Sequence, residues 1–409
     1  MQDTELYRHL LAIESPWAVA RVELQVKEQR IDVWVDHAKG EHWQCPECGN
    51  TLPTYDHAPE RTWRHRDSCH MATYIHARTP RVECSQHGVR QVRLPWATPR
   101  SHFTDGFERF AIIVLQKTDV LGGTQILGVT WDEGWGIMER AVARGLAAKA
   151  KRVVPLLGVD EKSAGKGQQY ITLVYDLKSA TVEYIGDERT TATLDTYFVK
   201  LSTEQREGIE AIAMDMWEPY INSTRAHVTE AHAKIVFDRF HIMKHMLTGV
   251  DNVRKQEHRE RQSQGDDTLS RTKYLWLYSE ENLPEKHVAR FEELRRAELK
   301  TGRAYAIKET LRHLWDHQDV EEAKLYWEKW YFWATHCQLP PIIKAAKTIY
   351  NHIDNVMTYF THRITNAVAE GVNNKIQTIK KRAYGFSNRE HFKIAIYFHC
   401  GGLALHPSS

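Results

Sequence analysis

Short apolar runs alternate with polar, glycine-bearing turns in the central part of the chain. Residues 153–159 form one such run and end on Asp160, a second run covers residues 170–175, and a third covers residues 209–214 and ends on Asp215. Runs rich in β-branched residues and bounded by turns of this kind are typical of paired β-strands. The pattern therefore predicts a sheet that carries aspartates where buried strands meet solvent.

The predicted elements of this region are three strands followed by alternating helices and strands. They are strands at about 155–159, 169–175, 181–186, 209–214 and 234–237, with helices at about 193–202 and 218–226. From Arg239 to about Tyr359 the pattern predicts only helices, whose many Trp and Tyr side chains are expected to be core rather than base-stacking platforms. A later helix is predicted over Ile364–Lys380, and it carries Glu370.

Asp160, Asp215 and Glu370 are candidate metal ligands. An aspartate at the end of a strand is usually only a turn former. Here the pattern occurs twice, and a helical glutamate lies far along the chain, so the three carboxylates can converge on a pair of divalent cations. Hard oxygen ligands suit Mg²⁺ or Mn²⁺, whereas His or Cys ligands would favour zinc.

The N-terminal region predicts a short helix and then a β-hairpin with its turn at Lys27–Arg30, because apolar residues alternate on both sides of that turn. Two pairs with zinc-ligand spacing follow, and Trp43 and Trp63 are expected to pack around them. The pairs are Cys45-Pro-Glu-Cys48 and Cys84-Ser-Gln-His87.

Four such ligands can hold one tetrahedral zinc ion, and Gly49 allows the backbone to turn back after the first pair. Cys69 or His70, which lie between the pairs, could replace one ligand. Unliganded cysteines are the alternative. A redox role for the first pair lacks its usual strand-to-helix setting.

The pattern of apolar residues and breaks over residues 104–149 predicts three helices. Asp105 is expected to cap the first helix, and a break at Gly128 separates residues 121–127 from a helix over about 131–144. This spacing is typical of a helix–turn–helix unit, whose second helix enters the major groove of DNA. The alternative is a plain three-helix bundle, but the cysteine module and the arginines just before it favour DNA binding.

Composition narrows the class of protein. The 409 residues are enough for two or three domains, and the formal net charge is only +2 with 26% charged residues. Positive charge is concentrated in Arg61–Arg100, with eight arginines, and in His362–Lys393, with seven Lys or Arg. Such patches suit a polyanion better than a membrane, although each alone could be an ordinary solvated face. No stretch resembles a signal peptide or a membrane span, so we expect a cytosolic protein with its cysteines reduced.

Several motifs, in order along almost the whole chain, resemble those of bacterial insertion-sequence transposases of the ISL-three family, which belong to the DDE group. The matching stretches are Cys45–Cys48, Gly158–Glu161, Met214–Trp217, Phe237–His241 and Thr365–Gln377. The order of strands and helices is also that of an RNase H-like domain. In the family the segment after the first cysteine pair usually carries a second cysteine pair, where this chain has Cys84 and His87.

The resemblance implies a multidomain α+β protein. The expected domains are a zinc ribbon at 1–100, a helix–turn–helix domain at 101–150, an RNase H-like α/β catalytic domain beginning at 151–240, a large all-α insertion at 241–358 and the C-terminal helices of the catalytic domain at 359–409. It also implies a catalytic triad of Asp160, Asp215 and Glu370 that binds Mg²⁺ or Mn²⁺ and a zinc site at Cys45, Cys48, Cys84 and His87. The Asp238-x-x-His241 motif is similar to an Asp/Cys-x-x-His signature of several DDE groups, and we expect a structural or strand-positioning role for this pair rather than metal ligation.

The expected partner is double-stranded DNA, both the element's terminal inverted repeats and the target, bound at the nucleoid by at least a dimer. Phosphate contacts are predicted for the basic side chains Arg64, Arg66, Lys375, Lys380, Lys381 and Arg382. Two other functions fit the same modules. One is a transposase-derived regulator that binds specific DNA without cutting it, and the other is a structure-specific nuclease or resolvase.

Overall fold

The structure is a computed structural model, and it describes residues 2–165 and 169–407. The chain forms two compact units. The first contains residues 2–149, 382–384 and 397–407, and the second contains residues 150–165, 169–381 and 385–396. None of the helices in the described part of the chain is both long enough and apolar enough to cross a membrane.

The first unit begins with a helix and two small sheets. Its elements are α1 (Asp3–Leu10), β1 (Trp17–Gln25), β2 (Arg30–His37), β3 (His42–Gln44), β4 (Thr51–Pro53), β5 (Asp56–Ser68), β6 (Met71–Cys84) and β7 (Gly88–Gln91). The larger sheet has the order β1-β2-β6-β5, with β7 also paired to β6, and the smaller sheet is the β3–β4 hairpin. The β1–β2 hairpin predicted from the alternation is confirmed.

Tryptophans form the centre of this unit because their large apolar rings gain most from burial. Trp17 contacts Trp43 and Trp96 at ring-centroid distances of 5.2 and 4.9 Å, and Trp63 is 5.9 Å from Trp96. The prediction that Trp43 and Trp63 pack in the cysteine-bearing module is confirmed, since both are buried in its core.

Three helices follow, α2 (Asp105–Lys117), α3 (Val120–Leu127) and α4 (Trp131–Ala147). The predicted cap of α2 was wrong by one residue: the Thr104 side chain accepts the Phe107 N–H, while Asp105 accepts hydrogen bonds from Thr98. The break at Gly128 is confirmed. This residue ends α3 in the left-handed region, at φ +62°, where a glycine has no Cβ to strain.

The second unit is built on a mixed sheet. Its first elements are β8 (Leu156–Ser163), β9 (Tyr170–Asp176), β10 (Thr181–Asp187), α5 (Thr191–Lys200), α6 (Thr203–Glu207), β11 (Ala211–Met214), α7 (Glu218–His227), α8 (Ala231–Lys234) and β12 (Ile235–Phe237). The strand order is β10-β9-β8-β11-β12. The first three strands are antiparallel neighbours, whereas β11 runs parallel to both β8 and β12.

The rest of this unit is helical. Its elements are α9 (Arg239–Gln262), α10 (Lys273–Leu277), α11 (Glu285–Arg296), α12 (Lys300–Arg312), α13 (Val320–His336), α14 (Pro340–Tyr350), α15 (Ile353–His362), α16 (Ala367–Arg382) and α17 (Arg389–Cys400), with short 3-10 turns at Glu280–Asn282 and His313–Asp316. The last residue of α16 and residues 397–400 of α17 belong to the first unit. The prediction that its aromatic residues are mainly core holds for Trp276, Trp327 and Trp330, which are buried, but Phe332 is 65% exposed.

Candidate metal centres

The first candidate centre is a group of three cysteines and one histidine. Cys45 and Cys48 lie in the turn between β3 and β4, Cys84 ends β6, and His87 comes just before β7. Their ligand atoms all lie within 4.8 Å of one another. The two turns that carry them come from different parts of the chain, so the folding of the unit assembles the group.

The spacing of these atoms fits zinc. The Sγ atoms of Cys48 and Cys84 are 3.7 Å apart, and Cys84 Sγ lies 3.5 Å from His87 Nδ1. On a tetrahedral ion with Zn–S of about 2.3 Å and Zn–N of about 2.0–2.1 Å, the expected separations are about 3.8 Å and about 3.5 Å. The pKa of Cys84 is lowered to about 6 by hydrogen bonds from the Gln86 backbone and the His87 side chain, which favours the thiolate.

Cys69 and His70 are outside this group. They occupy the two-residue turn between β5 and β6, where Ser68 pairs with Met71, and Cys69 is exposed. The alternative in which either residue replaces a ligand therefore finds no support in the structure, and the predicted set of four comes together.

The second candidate centre lies where β8 and β11 run side by side. In this parallel pair Ala213 is opposite Gly158, and Asp215 and Asp160 each follow two residues later in the chain. Asp160 is not at the end of its strand as predicted, because β8 continues to Ser163 through pairing with β9. Asp215 does come directly after β11.

The surroundings of both aspartates disfavour negative charge. Burial raises the pKa of Asp160 from 3.8 to about 6, and the carboxylates of Glu161 and Asp215 add to the shift. Burial also raises the pKa of Asp215, again with a contribution from Glu161. Neighbouring acidic groups that are partly withdrawn from water are stabilised by a bound cation, because it supplies the missing positive charge.

Asp160 is held by hydrogen bonds on both oxygens. The backbone N–H of Glu161 donates to Oδ1 at 2.8 Å, and the side-chain amide of Asn373 donates to Oδ2 at 2.7 Å. The Tyr175 hydroxyl donates to the other end of the same amide, Asn373 Oδ1, at 2.9 Å. Asn373 thus connects the side chains of Asp160 and Tyr175.

Helix α16, which carries Glu370, lies against the face of β8 that bears Gly158 and Asp160. A Cβ added to Gly158 would lie 3.1 Å from the side-chain oxygen of Asn366, so this helix entry approaches the strand closely. Glu370 lies on the helix between Asn366 and Asn373, at the spacings that share one face. Its side chain is exposed.

The three carboxylates do not form a compact ligand group. Within the described residues the Cys/His group is the one cluster of three or more ligand residues close enough to share an ion. The structure brings Asp160 and Asp215 together and places the helix of Glu370 beside Asp160, but it does not bring the Glu370 carboxylate into their group.

Comparison with known proteins identifies the family of the chain. Residues 157–396 match a family model described as the transposase of the ISL-three group, and residues 41–87 match the zinc finger of transposases IS204, IS1001, IS1096 and IS1165. The first match covers more than half of the chain. The chain belongs to the ISL-three family of transposases.

Two similar proteins span almost the same length as this transposase. The transposase for insertion sequence element IS1001 of Bordetella parapertussis is 26% identical over 360 residues, which cover 86% of this chain and 87% of that protein. The transposase for insertion sequence element IS1557 of Mycobacterium tuberculosis is 24% identical over 422 residues, with 94% and 93% covered. The zinc-finger match contains all four ligands of the Cys/His group, which supports a zinc ribbon in this transposase.

Asp238 and His241 of the transposase lie beside the carboxylates. Asp238 follows β12, its backbone N–H donates to Met214 O, and its side chain caps α9. His241 Nδ1 is 3.3 Å from Asp238 Oδ2. Although burial opposes the charged imidazole, Asp238 and the nearby Asp215 and Asp160 raise the pKa of His241 overall. These contacts favour the structural role predicted for the pair.

The sequence did not single out Glu161 and Arg189. Arg189 Nη1 lies 3.1 Å from Glu161 Oε1, and its guanidinium lies 4.3 Å from the Trp217 ring centroid. This arginine also counteracts the rise in the pKa of Asp215. Two adjacent acidic residues at 160 and 161 are a visible signal, but the position of Arg189 depends on tertiary structure.

The predicted DNA contacts differ in their accessibility. Arg64 is only 9% exposed, and its guanidinium is bonded to Asp67 and to backbone carbonyls, which does not favour a phosphate contact. Arg66 is exposed. On α16, Lys375, Lys381 and Arg382 are exposed, while Lys380 is half-buried and donates to Ser163 O at 2.9 Å.

Proposed function

We propose that this transposase binds the terminal repeats of an insertion sequence and cuts and joins DNA strands with two divalent metal ions held by Asp160, Asp215 and Glu370. The observation that supports the proposal is the parallel pairing of β8 with β11, because the partly buried Asp160 and Asp215 each follow two residues after the last pair, Gly158 with Ala213. Their charges also interact. Both aspartates and Glu370 lie inside the range matched by the family model.

The order of elements supports an RNase H-like catalytic domain. Three antiparallel strands are followed by two parallel strands that alternate with helices, and β8 is in the centre of the sheet. Helices α9 to α15 form an insertion before α16.

The carboxylates have the chemistry for Mg²⁺ or Mn²⁺, because they are hard oxygen donors. Asp160, Asp215 and Glu370 would hold Mg²⁺ ions, which when bound would lower the pKa of an attacking water or DNA 3′-hydroxyl and would stabilise the departing 3′-oxygen. Asp160 and Asp215 provide two negatively charged carboxylates for the site. Glu370 completes the set by rotation of an exposed side chain on the helix that already contacts Asp160.

We further propose that the first unit binds DNA sequence-specifically. Helices α3 and α4 are joined by a short turn at Gly128, and α4 begins with a capping box between Thr130 and Glu133, which is the form of a helix–turn–helix unit. The zinc ribbon and the exposed Arg66 precede it. Phosphate contacts are assigned to Arg66, Lys375, Lys380, Lys381 and Arg382, and pairing of two DNA ends requires at least a dimer.

Replacement of Asp160 tests the catalytic assignment. Purified protein is incubated with Mg²⁺ and a labelled duplex that carries the element's own terminal repeat, and cleavage, strand joining and binding are measured. We expect Asp160→Asn to bind the duplex normally but to cut it about a thousandfold more slowly, because several kcal/mol of metal-dependent stabilisation is lost.

Asp187→Asn is the matched control, since Asp187 ends β10 of the same sheet and its carboxylate pairs with Arg389 and Lys393. It should cut at the wild-type rate. Normal cutting by Asp160→Asn would refute the assignment. Tight binding by the wild-type protein without any nicking would indicate a regulator, and cutting of branched DNA without joining would indicate a structure-specific nuclease.

A further inference from the structure

The amide of Asn373 connects two elements that are far apart in the sequence. It lies on α16, its NH₂ group donates to Asp160 of β8, and its oxygen accepts the hydroxyl proton of Tyr175 on β9. Asn373 is 7% exposed and Tyr175 is fully buried. The connection therefore lies inside the second unit and is shielded from competing water.

The direction of the two hydrogen bonds fixes the orientation of the amide. An ionised carboxylate only accepts hydrogen bonds, so the group that faces Asp160 has to be the NH₂. The Tyr175 hydroxyl can donate to the amide oxygen at the other end, and this contact disfavours the flipped amide. Since Glu161 N–H holds Oδ1 of Asp160, the second hydrogen bond leaves the carboxylate one orientation.

Each oxygen of Asp160 keeps acceptor capacity after these contacts. A carboxylate offers about four lone-pair sites, and two are used. A metal ion can therefore bind Asp160 while both hydrogen bonds remain. Partners of this kind around metal ligands typically contribute about 10–100-fold to metal affinity or activity.

We propose that Asn373 is a positioning residue that orients Asp160 for metal binding and docks α16, and hence Glu370, against β8, with Tyr175 fixing the amide. The inference rests on the proposed function for the identity of the metal ligands. It adds two residues that touch neither DNA nor metal, and it explains how a helix 213 residues from Asp160 is held in register with it.

The docking role follows from spacing on the helix. Asn373 is one turn beyond Glu370, so a hydrogen bond at Asn373 limits the sliding and rotation of the turn that carries the glutamate. Asn366, at the entry to the helix, approaches Gly158 on the same face of the strand. Asn373 connects the helix to the strand through a hydrogen bond to the carboxylate of Asp160 itself.

The experiment compares wild-type protein, Asn373→Ala and Tyr175→Phe, all zinc-loaded and full-length. The control is Thr378→Ala, because Thr378 is an exposed residue of the same helix whose side chain bonds only to the helix backbone. Mn²⁺ binding to the protein–DNA complex is measured by electron paramagnetic resonance, and the Mn²⁺ dependence of cleavage is measured on the same duplex.

We expect Asn373→Ala to weaken Mn²⁺ binding about tenfold or more and to raise the half-saturating Mn²⁺ concentration for cleavage equally. Tyr175→Phe should cause a smaller shift in the same direction, and Thr378→Ala none. A merely structural role would lower the melting temperature of Asn373→Ala without changing its Mn²⁺ dependence, and that result would overturn the inference.

The binding measurement separates this inference from the proposed function. If wild-type protein binds Mn²⁺ but does not cut DNA, the proposed function fails, while a loss of Mn²⁺ affinity in Asn373→Ala still supports the positioning role. If wild-type protein cuts DNA and Asn373→Ala has the same Mn²⁺ affinity and dependence, the positioning role fails alone. Absence of both cutting and Mn²⁺ binding in wild-type protein contradicts both.

Discussion

At the scale of single residues, Asp160 and Asp215 are side chains whose environment opposes the negative charge that the proposed metal binding requires. Burial raises the pKa of each, and Glu161 adds negative charge beside them. Perturbed carboxylates of this kind are concentrated at functional sites, because selection for stability alone would replace them with apolar or neutral residues. A cation bound at the proposed site would relieve this cost in stability.

The raised pKa of Asp160 predicts a pH-dependent stability. Between its unfolded value near 3.8 and its folded value of about 6, the folded state binds more protons than the unfolded state. The contribution of Asp160 to the free energy of unfolding is therefore fully present below about pH 4 and is lost as the pH rises through about 6. We expect the free energy of unfolding of the wild-type protein, relative to that of Asp160→Asn, to fall by about 1–3 kcal/mol across this window.

Chemical denaturation of both proteins without added Mg²⁺, at several pH values from 4 to 7.5, measures the difference. Comparing the two proteins removes the contributions of the titrating groups that do not interact with Asp160. A difference that stays constant, or that grows in favour of the wild-type protein as pH rises, would contradict the assigned environment of Asp160. Added Mg²⁺ at pH 7.5 should restore part of the lost stability in the wild-type protein only.

At the scale of elements, the local pattern was sufficient to predict most strands and helices but not their exact limits. The predicted strands of the second unit all occur, since their apolar runs are distinct and bounded by turns. The extension of β8 to Ser163 depends on its pairing with β9, which a single stretch of sequence does not reveal. The bond between Asn373 and Asp160 was not predictable either, because no local pattern connects residues so far apart.

The zinc ligands join two separate turns, so we expect them to stabilise the first unit. Cys84→Ser should reduce the zinc content from one ion per chain and lower the melting temperature of this unit, because a structural zinc site contributes folding free energy. Zinc is measured by elemental analysis, and unfolding is followed by tryptophan fluorescence, since Trp43 and its neighbours lie in the same core.

Cys69→Ser is the matched control for this prediction. Cys69 lies exposed in the turn between β5 and β6, outside the four-ligand group. It should retain zinc and stability. Loss of zinc in Cys69→Ser, with retention in Cys84→Ser, would show that the ligand set was assigned wrongly.

At the scale of the whole molecule, the chain does not divide in sequence order. Residues 397–407 belong to the first unit, where Arg144 donates to Leu405 O at 2.7 Å and Arg109 donates to Pro407 O at 3.0 Å. The sequence predicted that residues 359–409 would complete the catalytic domain. These hydrogen bonds join arginines to carbonyls some 260 to 300 residues away and leave no local signal in the sequence. The membership of residues 397–407 in the first unit could therefore not be predicted.

The central claim is that Asp160, Asp215 and Glu370 bind catalytic cations together. The most direct measurement is a crystal structure of the protein with its terminal-repeat DNA and Mn²⁺, in which anomalous scattering locates the ions. The account predicts Mn²⁺ between the carboxylates of Asp160 and Asp215, with the Glu370 side chain turned towards it and Asn373 still bonded to Asp160. Mn²⁺ bound elsewhere, or Glu370 directed into solvent in that complex, would contradict it.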